Sequence, residues 1–317
     1  MKGFTPLIDV YRHVIRHYFV PPRLKTYLPF FSLLLLGIFL LVLEFLGFRR
    51  VFRYMAGLQE FPMFFVQVLL ERLIGLIFLI SYSMIFMSSM INGLSALYLS
   101  ANLPFLYSLP IPKWKVLTVK FVENWFLSCY LILLFLICFL FSHAYSFRLP
   151  WIHYAASIVL LALFTLSPVA FGSAVVTLLI RFFPVRRIHQ LVTLIAGIFL
   201  AALMIAVRMM KPELLLNPTD TDDFVRLVQD LTVPSLSHLP SSWASHAIVY
   251  GGSATLLKLS VFGLFSVALL AVVLRFFYDK AFVYSQESRS IRKAAALPRR
   301  PVVKIRNKVA AMMIKDT

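Results

Sequence analysis

Charge is scarce in this chain. Only 14% of its 317 residues are charged, against roughly 25% in soluble domains. Acids are the scarcer sign: 13 Asp+Glu face 31 Lys+Arg, a formal +18. With 61% of residues hydrophobic and 31 phenylalanines, a water-soluble fold could not cover the apolar surface. The basic excess therefore reads as membrane topology and lipid headgroups rather than nucleic acid. The two cysteines, Cys129 and Cys138, are nine positions apart in one apolar segment. On a helix they are about 180° and roughly 13 Å apart, too far to bond. None of the 11 glycines is followed by lysine, so GxxxxGK[ST] is not formed, and HExxH and GxSxG are missing too. The seven histidines are scattered. No catalysis, cofactor or metal is expected from these residues.

What is present is a set of long apolar runs. A helix needs about 20 such residues to cross a hydrocarbon core of about 30 Å. Six candidates lie near 28–48, 65–91, 121–142, 152–180, 188–207 and 256–277. The runs are continuous rather than alternating, which argues against a β-barrel. With the N-terminus inside, 22 basic residues fall on the cytoplasmic side and nine outside, as the positive-inside rule requires. Arg49, Arg50 and Arg53 are the main dissenters. Five acids (Glu213, Asp220, Asp222, Asp223 and Asp230) gather in one external loop. The expected fold is an all-α membrane protein of about six spans over 28–278, between a cytoplasmic segment (1–27) and a basic tail (279–317).

Segment 1–27 lacks the features of a cleavable signal. Its Leu7, Ile8, Tyr11, Val14, Ile15 and Tyr18 recur at helical spacing opposite Asp9, Arg12, His13, Arg16 and His17. That pattern suits an interfacial amphipathic helix, stopped at Pro21-Pro22. The tail carries ten basic residues from Asp279 onward, suited to anionic lipids or to a solvated linker.

Between Arg72 and Lys113 lie 40 uncharged residues, roughly 60 Å if helical and twice the hydrocarbon thickness. Part of this stretch must leave the membrane, and Ser88, Ser89, Asn92, Gly93 and Ser95 are read as the exit. The apolar segment 99–112 that follows either binds something or folds back on the protein's own helices. Glu44, Glu71, Arg72 and Glu123 are ionisable but lie near span ends, where pairing or snorkelling is easy.

The segment Asn102 to Pro112 (NLPFLYSLPIP), followed by Lys120, resembles the permease subunits of type-2 ABC exporters. Those often carry D-L-x-x-L-x-S-x-P-[IV] between spans two and three; here Asn102 stands where Asp is common. Ser89 to Ser95 (SMINGLS) and Leu239 to Ala244 (LPSSWA) are similar to further marks of a bacterial branch. The resemblance implies a permease without catalytic residues of its own in a bacterial inner membrane, both termini cytoplasmic. It implies docking on a separate ATPase subunit through 99–112, and pairing with a second permease half or another copy. Leu103, Phe105, Leu106 and Tyr107 would be the apolar anchors on the ATPase, with Asn102 in the same docking segment and Lys113 and Lys115 at the rim. A secondary transporter and a non-transporting scaffold are the alternatives.

Overall fold

The structure, a computed structural model, describes residues 27–57, 63–100, 102–183, 185–209, 239–251 and 253–296. They form eight α-helices and no strand: α1 (Tyr27–Ala56), α2 (Met63–Leu94), α3 (Leu103–Ser108), α4 (Lys113–Ser146), α5 (Trp151–Phe182), α6 (Val185–Met209), α7 (Pro240–Tyr250) and α8 (Ser253–Ala296). A π-helical stretch, Ser95–Leu99, continues α2. Proline places several of the starts. Pro104 and Pro240 occupy the first turns of α3 and α7, while Pro112 and Pro150 cap α4 and α5, positions where a missing N–H costs nothing.

Among the described residues, four helical stretches are long and apolar enough to cross a membrane: Val66–Leu99, Lys113–Ser146, Trp151–Phe182 and Ala254–Val283. The runs near 28–48 and 188–207 lie on α1 and α6. The 1–26 segment, the acidic loop and the end of the tail fall outside the described residues, so no amphipathic helix is described there. α1 continues past the anticipated end at 48 and takes Arg49, Arg50 and Arg53 into its last turns. The Arg49 guanidinium lies 4.7 Å over the Tyr145 ring, where a cation–π contact offsets its burial.

α5 is the hub, packed on α8, α2 and α4, while α1 leans on α4 and α7 on α2. Its interior proline is accommodated locally: the Ser167 hydroxyl donates to the Phe164 carbonyl (3.3 Å), the acceptor that Pro168 leaves without its usual N–H. Between α4 and α5 the chain closes in a Schellman motif. Leu149 N–H donates to Ala144 O at 2.9 Å and Arg148 N–H to Tyr145 O at 3.3 Å. Arg148 takes the left-handed conformation (φ 53°) usually given to glycine there.

Three of the five polar residues read as a membrane exit also make contacts inside the bundle. The helical path continues through them to Leu99, and Ser89, Asn92 and Gly93 turn toward α4 and α5. Their spacing puts these three on the packed face, where α5 and α4 satisfy Ser89 and Asn92.

Candidate functional site

The short helix α3 folds back beneath the bundle. Leu103 is fully buried, and Leu106 packs with Val116, Leu109 and Val119. Tyr107 is half-buried, its ring 4.9 Å from Phe282 and 6.2 Å from Tyr278. Burial pushes its phenol above the ordinary range, so it stays neutral. Asn102 is exposed, as is Phe105 at 60%. Lys113 pairs with Asp279 at 2.9 Å, both well exposed. Lys115 lies 5.6 Å over the Trp114 ring. The seven residues therefore divide: Leu103, Leu106 and Tyr107 hold the segment to the bundle, and Asn102, Phe105, Lys113 and Lys115 lie on its outer side.

A second constellation was not singled out from the sequence. Asn124 of α4, with no exposure, donates to Ser89 Oγ of α2 (3.1 Å) and Ser173 Oγ of α5 (2.9 Å). Its carbonyl accepts from Ser128 Oγ at 3.1 Å. Ser128 in turn accepts from Asn92 Nδ2 at 3.3 Å. Ser89 and Ser173 both donate to the Val169 carbonyl, at 2.9 and 2.8 Å. One turn further along α5, Thr177 accepts from Tyr98 OH at 2.9 Å. Tyr278 OH of α8 donates to Leu97 O at 3.0 Å. A hydrogen-bonded seam thus joins α2, α4 and α5 and reaches α8 beside the π-helical stretch.

Glycine lets the helices close on this seam. A Cβ at Gly93 would stand 3.2 Å from Asn124 Nδ2, and one at Gly172 only 2.8 Å from Ser89 Oγ and 2.9 Å from Phe86 O. The signal was present in the sequence as small polar residues repeating every four positions (Asn124 and Ser128; Ser173 and Thr177), the spacing of close helix contact in membranes.

Of the ionisable residues near span ends, Glu123 holds Lys120 at 2.7 Å, and Lys120 also reaches Ser100 Oγ at 3.4 Å. This ties the start of α4 to the end of the π-helical stretch. Among the described residues no group of His, Cys, Asp and Glu could hold a metal ion, and both cysteines are free.

The family model described as "Putative ATP-binding cassette" matches residues 22–317. The chain belongs to that family. No curated protein and no solved structure matches it. This membership corrects the readings drawn from the resemblance. The permease-subunit assignment is overturned, as are the separate ATPase as its partner, the permease pairing that went with it, and the exclusion of nucleotide chemistry from the chain. The secondary-transporter and scaffold alternatives do not match the family either. The reason is specific: the phosphate-loop pattern, which the glycines here do not form, covers a few residues, whereas the family match spans 22–317.

Proposed function

We propose that this member of the ATP-binding cassette family is a polytopic membrane protein working in ATP-dependent transport, with the α2–α4–α5 seam as its moving joint. The observation that carries this reading is the seam itself. Polar side chains are expensive within spans and concentrate where a membrane protein works. Here they join three spans next to a π-helical stretch, a feature frequent at functional sites.

Cys129 offers a native probe of the joint. It is fully buried against Ile85 and Val169, one position from Ser128, whereas Cys138 lies outside the seam. In native membranes, ATP should change the rate of Cys129 alkylation by N-ethylmaleimide several-fold and leave Cys138 unchanged. Equal rates with and without ATP would refute the joint. Family membership also predicts saturable photolabelling of this chain by azido-ATP; no incorporation would mean that these 317 residues do not hold the nucleotide.

The finer topology belongs to the same reading: α1 and α6 cross as well, giving six spans with both ends cytoplasmic in a bacterial inner membrane. The division of 22 to nine basic residues supports it. The domain division is retained as 1–27, 28–278 and 279–317, and 99–112 enters as a contact segment with Asn102, Phe105, Lys113 and Lys115 outward. An impermeant thiol reagent should reach Asp222→Cys and miss Arg299→Cys; the opposite pattern would invert the topology.

A further inference from the structure

Along the outer side of the bundle, the first turns of α4 and the middle of α8 leave a cleft of about 530 Å³. Leu117, Phe121, Val267, Leu270 and Leu274 make most of its wall, and Lys113, Arg275 and Asp279 stand together at one end. Both helices include stretches long and apolar enough to cross a membrane, which would set the cleft against lipid rather than water.

We propose that this cleft is a binding site for one phospholipid, with an acyl chain along the wall and its phosphodiester at Arg275. Three observations converge on that occupant. The first is length. Lys113 to Phe121 spans roughly 12 Å of helix and Val267 to Asp279 roughly 18 Å, close to half of a hydrocarbon core of about 30 Å; the cleft is one leaflet deep.

The second is charge. Two cations and one carboxylate leave the rim with one net positive charge, which a phosphodiester complements. Lys113 is engaged by Asp279. Arg275 makes no hydrogen bond or ion pair with another described residue, and its planar fork matches a phosphate. The third is arrangement, as in a lipid: charged at one end only and apolar along the wall apart from Thr118, whose hydroxyl is turned back to the Trp114 carbonyl at 2.9 Å. The cleft shares Tyr278 with the α8 end of the seam, but its failure would leave the α2–α4–α5 hydrogen bonds untouched.

The test is native mass spectrometry of the full chain released from micelles that contain dioleoylphosphatidylcholine. Dioleoylglycerol, which has the same chains and no phosphodiester, serves as the matched competitor. One phosphatidylcholine should be retained per chain, with dioleoylglycerol held at least tenfold more weakly. Arg275→Glu should lower phosphatidylcholine retention about tenfold while leaving dioleoylglycerol unchanged. Ala271→Trp, which fills the cleft without altering charge, should expel both. Lys280→Glu makes the same charge change away from the cleft and should have no effect. Equal retention of the two lipids by the unaltered chain would overturn phosphodiester recognition without recourse to any variant. Equal losses for Arg275→Glu and Lys280→Glu would reduce the effect to general surface charge. If Ala271→Trp instead converts a dimer to a monomer with lipid retention intact, the cleft belongs to a second copy and the proposal is wrong.

Discussion

α1 and α5 are both long apolar helices, yet they occupy opposite situations. Most of α5's best apolar stretch, 61%, is inside the bundle. The N-terminal half of α1 is exposed from Leu33 to Leu40, and its ring contacts with α4 lie further on, where Phe45 meets Tyr145 at 6.1 Å and Phe48 and Phe52 meet Phe139 at 4.9 and 5.3 Å between centroids. Hydropathy does not separate them, because lipid is as apolar as leucine and there is no hydrophobic gain in hiding one span behind another. Side-chain size and polarity do. α5 presents Ser167, Ala170, Gly172, Ser173, Ala174 and Thr177 on its buried side, which lets neighbours approach closely. α1 presents Leu and Phe, which fill space against lipid equally well.

The sharpest test of that contrast is a pair of glycine substitutions. Gly172→Leu should cost about 3 kcal/mol or more, since even its Cβ would press on the α2 backbone at 2.9 Å. Gly37→Leu meets nothing within 4 Å and should leave the detergent melting temperature unchanged or slightly higher. Equal losses at the two positions would erase the distinction.

The same inside-against-outside logic applies within α3, only two residues apart. Leu103→Ala should cost about 2 kcal/mol through the cavity it leaves, read as a lower yield of folded chain. Phe105→Ala, on the outer side, should stay within about 0.5 kcal/mol of the parent.

Asn124→Ala comes next. It removes the common partner of Ser89, Ser128 and Ser173, and three hydrogen bonds averaging about 0.6 kcal/mol each in membrane proteins suggest a loss of about 1–2 kcal/mol. Pairing it with Ser173→Ala in a double-mutant cycle should show less than additive loss; full additivity would mean that the residues do not act as a network.

A smaller loss than that for Asn124 is expected at α1. Its polar tie is the Ser142 hydroxyl donating to the Phe45 carbonyl at 3.2 Å, so Ser142→Ala should cost about 0.5 kcal/mol. A loss as large as that for Asn124 would show that α1 is anchored as firmly as α5.

Some of this was legible before any coordinates. Continuous apolar runs bounded by prolines and charges dictate helices of membrane-crossing length, because a backbone in hydrocarbon must satisfy its own hydrogen bonds. The uncharged interval from Arg72 to Lys113 marked where the chain departs from a simple span. Its apolar segment did not reveal which side chains would turn inward: Leu103 and Phe105 are both large and apolar, and only the folding of α3 back on the bundle distinguishes them.

Function was read less well. The likeness around Asn102 to Pro112 led to a permease assignment that membership of the ATP-binding cassette family overturned, since a short motif constrains one loop and the family match spans 22–317. The seam was hidden for a different reason. Asn92, Asn124, Ser128 and Ser173 are individually ordinary, and polar residues in an apolar run can mark an exit from the membrane or a contact inside it. The sequence by itself determined that the chain is helical, basic and suited to a bilayer. Only the tertiary structure decided that these side chains meet, because the seam's hydrogen bonds join residues up to 181 positions apart in the chain, and no local periodicity encodes which helix lies beside which.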